Sequence, residues 1–137
     1  MLEKENIICA SWVDWDFVPL IMHHMMRGLA RNNRVLYIDP VIALSSFLTY
    51  RTGRLYLREK LRKWHEGIIQ AEKNIYIYYP PPILVQYGHS KLNDGFNQLY
   101  LERAIRQAAM KLGFTSPILW FYNPHIILPE GRLGEKL

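Results

Sequence analysis

A strand, a helix and a second strand follow one another between Asn6 and Pro40, and this succession constrains the fold more than any other feature. Asn6 to Ala10 is a short apolar run with β-branched residues, as a buried strand requires. Asn33 to Asp39 repeats the pattern with Val35, Leu36, Tyr37 and Ile38, and Pro40 ends it. The residues between, roughly Val18 to Arg31, have helical spacing. Such a unit joins parallel strands through a right-handed crossover. The expected class is α/β, with a parallel sheet flanked by helices.

The later elements extend that pattern. At about 100° per residue, Val18, Met22, Met25 and Leu29 form one apolar stripe on the first helix, with Ile21 and Met26 at its edges. His23 and His24 both fall off that stripe. Val41 to Tyr50 reads as an apolar loop or short helix. A basic segment follows, in which Leu57, Leu61 and Trp64 share a face and Arg51, Arg54, Arg58, Arg62 and Lys63 supply charge. It suits either an anionic membrane surface or a plain solvated helix. Ile68 and Ile69 begin a strand, Asn74 marks a turn, and Ile75, Ile77 and Tyr79 alternate in another strand before three prolines. A long helix is predicted from Asn93 to Leu112, capped by Asn93 or Asp94 and ended by Gly113. Its later apolar face is Leu101, Ala104, Ile105, Ala108 and Leu112, while Leu92, Phe96 and Leu99 sit on a shifted face. Pro117 to Tyr122 reads as a last buried strand. Only three or four parallel strands result, which suggests the front part of a longer protein.

The chain has 137 residues, enough for one domain with its own core. A formal net charge of +5 favours anionic partners such as phospholipid head groups or phosphorylated substrates. No run is long and apolar enough to span a bilayer, no secretory signal is read at the N-terminus, and the single cysteine, Cys9, lies within the first strand. A reducing, cytoplasmic compartment is expected, with Cys9 inert.

Chemistry is sought where ligands usually bind in parallel sheets, at strand carboxyl ends near a reversal of strand order. The loop Ser11 to Phe17 occupies such a place. It has no glycine-rich phosphate cradle, and the chain has no zinc spacing of Cys and His, no nucleophile elbow and no nucleic-acid signature. No metal and no nucleic acid are expected. What remains is Asp14, Asp16, His23 and His24. A histidine oriented by an aspartate could act as a general base, and the alternative is a solvated polar face. Trp12 and Trp15 offer flat surfaces for a sugar ring or lipid, or simply cover the end of the sheet.

Asp14-Trp15 after the first strand, His23-His24 early in the first helix, the run from Gly28 to Pro40, and the late strand Ile118 to Pro124 together carry a family resemblance. The sequence resembles the amino-terminal, acceptor-side half of a bacterial GT-B glycosyltransferase of the group-1 or family-4-like type, which acts on cell-surface polysaccharides. The resemblance implies a single Rossmann-like domain over residues 1–137, a second donor domain outside this chain, and no activity for this chain alone. It implies transfer of a hexose from a nucleotide-sugar, held by the donor domain, to a glycan or lipid-linked acceptor at the inner face of the cell membrane. On this reading His23, His24 and Asp14 are catalytic, Trp12, Trp15 and Asp16 bind substrate, and the chain itself holds no cofactor. Arg51, Arg54, Arg58, Arg62, Lys63 and Trp64 dock on the membrane. The alternative is a non-catalytic, flavodoxin-like binding module for a protein partner or anionic ligand.

Overall fold

A computed structural model describes residues 2–45, 54–83, 88 and 90–122 of the chain. The elements run β1 (Asn6–Ala10), α1 (Ile21–Leu29), β2 (Arg34–Ile38), α2 (Arg54–Glu66), β3 (Ile68–Glu72), β4 (Ile75–Tyr78), α3 (Lys91–Lys111) and β5 (Ile118–Phe121). The strands form one sheet in the order β3-β4-β2-β1-β5. β4, β2, β1 and β5 are parallel, with Cys9 level with Tyr37 on one side and Trp120 on the other. The fold is thus α/β, a five-stranded sheet flanked by helices.

The sheet is mixed, which corrects the expectation of a parallel one. β3 pairs antiparallel with β4. The reason is the turn at Lys73 and Asn74: a connection this short can join only antiparallel strands. Asn74 takes the positive φ of 62° that the turn demands, which asparagine tolerates better than most residues. A register shift between Gln70 and Glu72 bends the outer strand.

Side-chain alternation assigns the two faces. Ile7, Cys9, Val35, Tyr37, Ile75 and Ile77 pack with Met22, Met26 and Ala30 at α1. Ile8, Ala10, Leu36 and Ile38 pack with Ile105, Ala108 and Ala109 of α3 and with Phe114. The chain winds from β1 through β2 to β4 in one direction, then returns through α3 to place β5 on the other side of β1. Strand order therefore reverses between β1 and β5.

α3 is two residues longer at its start than predicted and has a different cap. Ser90 Oγ accepts from the Asn93 amide at 3.1 Å, while Asp94 instead accepts from the Gly88 amide at 2.9 Å. At the other end Phe114 N–H reaches the Ala109 carbonyl and Gly113 N–H the Met110 carbonyl. With Gly113 at φ 67°, this is a Schellman ending. Leu101, Ile105 and Ala108 are buried as expected, and Leu92, Phe96 and Leu99 are exposed.

α1 differs more. It starts at Ile21, and its buried residues are Met22, His23 and Met26. The predicted stripe is only partly buried: Met22 and Met26 face the core and Leu29 packs against it, whereas Met25 is exposed, the edge residue Ile21 is 79% exposed, and Val18, 67% exposed, precedes the helix. His23 is only 1% exposed, so the reading that placed both histidines away from the core is corrected for His23. The cause is local. His23 Nδ1 accepts from the Leu20 amide at 3.0 Å, capping its own helix as a third-position side chain can, and this fixes the helix phase around a polar ring. Among the described residues, no helix is long and apolar enough to cross a membrane.

Candidate functional site at the strand carboxyl ends

The loop from Ser11 to Leu20 leaves β1 at the reversal and is anchored from below by β2. Tyr37 Oη donates to the Val13 carbonyl at 2.6 Å and lies 2.7 Å from Ser11 Oγ. Ser11 Oγ in turn accepts from the Val13 amide at 3.1 Å. Burial pushes the Tyr37 hydroxyl well above its ordinary pKa, so it stays a donor. Trp15 N–H donates to Asp39 Oδ1 at 3.0 Å, and the Trp15 ring meets Tyr37 edge-on with centroids 5.0 Å apart. His23 closes the ring of contacts. With Nδ1 accepting from Leu20, its Nε2–H donates to the Asp14 carbonyl at 3.2 Å.

α2 lies over this loop and locks it with charge. Lys60, almost fully buried, contacts both Asp14 and Asp39, the latter at 2.7 Å. One turn on, Lys63 pairs with Asp16 at 2.5 Å and lies over the Tyr79 ring at 5.4 Å. Tyr56, one turn before Lys60, directs its hydroxyl at Asp14 from 3.4 Å. Asp39 is the most deeply buried carboxyl of the group. Burial raises its pKa, Lys60 opposes the rise, and the neighbouring Asp14 adds to it. Tyr56 and Tyr79 are raised by burial and then by the same carboxylates, so both hydroxyls remain protonated. The cluster is a charge clamp: the carboxyl groups of Asp14 and Asp39 share the one ammonium of Lys60.

The site residues predicted from sequence therefore separate. Asp14, Asp16 and His23 come together around the loop, but each is already engaged. Both ring nitrogens of His23 are occupied by backbone groups, which leaves it a positioning residue in this arrangement. Trp15 is buried against His23 and beneath Arg27, whose guanidinium carbon lies 5.0 Å from its ring, so its faces are not open to a ligand. Trp12 is 60% exposed and is the loop tryptophan available for stacking. His24 is exposed on α1. Arg58 is exposed on α2, while Arg62 bridges Glu59 and Glu66. Trp64 stacks against His65 and borders a groove of about 480 Å³ between the end of α2 and α3, lined also by Tyr78, Gln107 and Lys111. Arg51 and the side chain of Arg54 lie outside the described residues.

Asp39 and Lys60 were missed as site residues. The signal for Asp39 was a charged residue directly after the apolar run Val35 to Ile38. For Lys60 it was the helical spacing Tyr56, Lys60, Lys63, which gives α2 a polar stripe beside the buried Leu57. Among the described residues, no group of three or more His, Cys, Asp or Glu side chains is arranged to hold a metal ion. Comparison with protein-family models, with curated proteins and with solved structures finds no match.

Proposed function

We propose that the chain is the acceptor-side, Rossmann-like domain of a cytoplasmic, membrane-associated GT-B glycosyltransferase. The observation that carries the proposal is Trp12, an exposed indole beside the reversal of strand order, on a loop held by the Tyr37, His23 and Lys60 contacts. An aromatic face on a rigid support is what stacking on a sugar ring requires. Support for the Rossmann-like class comes from the order of the parallel strands. Numbered among themselves they run 3-2-1-4, the order of dinucleotide-binding halves and not the 2-1-3 order of a flavodoxin-like sheet. The same comparison weakens the flavodoxin-like binding module as an alternative.

On this reading Trp12 packs on the acceptor, and Asp14 and His24 border the reacting group. Asp16 adds a polar edge, and His23 and Trp15 hold the loop in shape. The nucleotide-sugar belongs to a second domain, and this chain supplies no cofactor. Membrane association is part of the reading. α2 supports it only weakly, since Arg62 and Lys63 are engaged in ion pairs.

Saturation-transfer NMR with methyl glycosides and a water-soluble, short-chain prenyl diphosphate sugar tests the assignment. Saturation should reach the sugar-ring protons, and Trp12→Ala should abolish it while Leu92→Ala leaves it intact. Transfer that survives in Trp12→Ala, or is absent from the native chain, sinks the acceptor role.

A further inference from the structure

The rotation of α1 leaves an apolar surface exposed. Ile21 and, one turn on, Met25, whose sulfur also accepts from Tyr122 Oη at 3.1 Å, are exposed on its outer side, and Phe17, Val18 and Leu20 of the preceding loop are exposed beside them. Soluble domains scatter such residues singly, and a run of five is unusual. The flank of this ridge carries Arg31, exposed on the segment after α1, beside the exposed imidazole of His24, and from Phe17 to Ile38 the chain carries no acidic residue. The acidic neighbours that exist are engaged elsewhere: Asp14 with Lys60, Asp16 with Lys63, and Glu72 with Arg27 at 2.8 Å.

We propose that this face, with Phe17, Val18, Ile21 and Met25 as its apolar ridge and Arg31 as the cation of its acid-free flank, docks α1 on an anionic phospholipid bilayer. An apolar ridge beside a basic border lets a helix lie in the interface, burying the ridge among acyl chains while the cations meet head-group phosphates. Charge complementarity selects the bilayer over an apolar protein groove, which would not require the acid-free border. The inference rests on the membrane-associated part of the reading above and is independent of sugar transfer. It moves the docking surface from α2 to α1.

The test is co-sedimentation of the chain with vesicles of phosphatidylcholine containing about one-third phosphatidylglycerol, at low salt. Ile21→Glu is compared with Leu92→Glu, which changes net charge equally at an exposed residue of α3. Ile21→Glu should weaken partitioning roughly tenfold or more, and Leu92→Glu by no more than about twofold. Equal losses would mean that net charge alone drives binding, and would overturn the proposal, as would no binding by the native chain. Thermal melts of both variants guard against unfolding. A second readout uses a spin label on Ile21→Cys, with buried Cys9 unreactive. On vesicles the label should be more accessible to oxygen than to a water-soluble nickel complex, and the reverse order overturns the assignment. So does a dimer of the native chain that Ile21→Glu dissolves without any vesicle binding. The vesicles contain no glycan, so a failed acceptor assignment leaves this result standing, and the converse holds.

Discussion

The two faces of the sheet are built from different materials. Behind β1 and β2, α3 meets the sheet with Ile105, Ala108 and Ala109, and the contact is held by shape and apolar area. In front, α1 meets it with Met22 and Met26 but also with His23, above a layer in which Tyr37 is hydrogen-bonded to Ser11 and the Trp15 amide to Asp39. Volume-conserving apolar exchanges on the rear face should cost little. The front face fixes the loop backbone at specific points, the Val13 and Asp14 carbonyls and the Val13, Trp15 and Leu20 amides, each held by a side chain. The comparison teaches that order in a loop can be supplied by the core beneath it.

Breaking the front clamp should have the largest effect. Lys60→Met leaves buried Asp39 and half-buried Asp14 without their cation and should cost about 3–5 kcal/mol in urea unfolding. His23→Ala removes the partner of the Leu20 amide and the Asp14 carbonyl and opens a cavity, at about 2–4 kcal/mol. The matched rear substitution, Ile105→Ala, should cost a similar 2–4 kcal/mol, roughly, yet differ in kind. Amide exchange should quicken from residues 11 to 20 in His23→Ala and stay native there in Ile105→Ala. If both variants loosen that loop equally, the two faces are not distinct.

A pH series sharpens the comparison further. Because burial raises the Asp39 pKa, the folded state keeps this proton to a higher pH than the unfolded chain does. The stability it contributes is therefore greatest at low pH, and falls as pH rises from the ordinary carboxyl range toward the raised folded value. The deficit of Asp39→Asn relative to the native chain should be largest near about pH 4 and narrow toward about pH 7. A deficit that widens with pH would mean that Lys60 outweighs burial. The smallest expected change lies at the rear helix ending. Gly113→Ala puts a side chain at φ 67°, where no neighbour obstructs it, and should cost about 1 kcal/mol in thermal melts.

The rear face was readable from sequence because its rules are local. The spacing of Leu101, Ile105 and Ala108, and Gly113 at the end, belong to one helix. The βαβ unit and the Asn74 turn were readable for the same reason. The strand-end loop was also located correctly as the place where polar and aromatic residues gather. What stayed hidden were couplings between elements. Asp39 and Lys60 are twenty-one positions apart on a strand end and a helix, and no local period links them. The phase of α1 was misjudged because hydrophobicity alone placed His23 outside, whereas two backbone partners make its burial favourable. Trp12 and Trp15 could not be told apart until Asp39 was seen to hold the Trp15 amide.

The β3–β4 hairpin also makes the sheet directional. Its outer strand is short and bent by a register shift, and it carries exposed Gln70 and Glu72, with Glu72 tied to Arg27. Bent, charged edges resist the addition of foreign strands. Among the described residues the opposite edge is β5, four residues of Ile, Leu, Trp and Phe without a charge. Of the two described edges, β5 is thus the one chemically suited to accept a further strand, and a single charge placed at Phe121 should make it as unreceptive as β3.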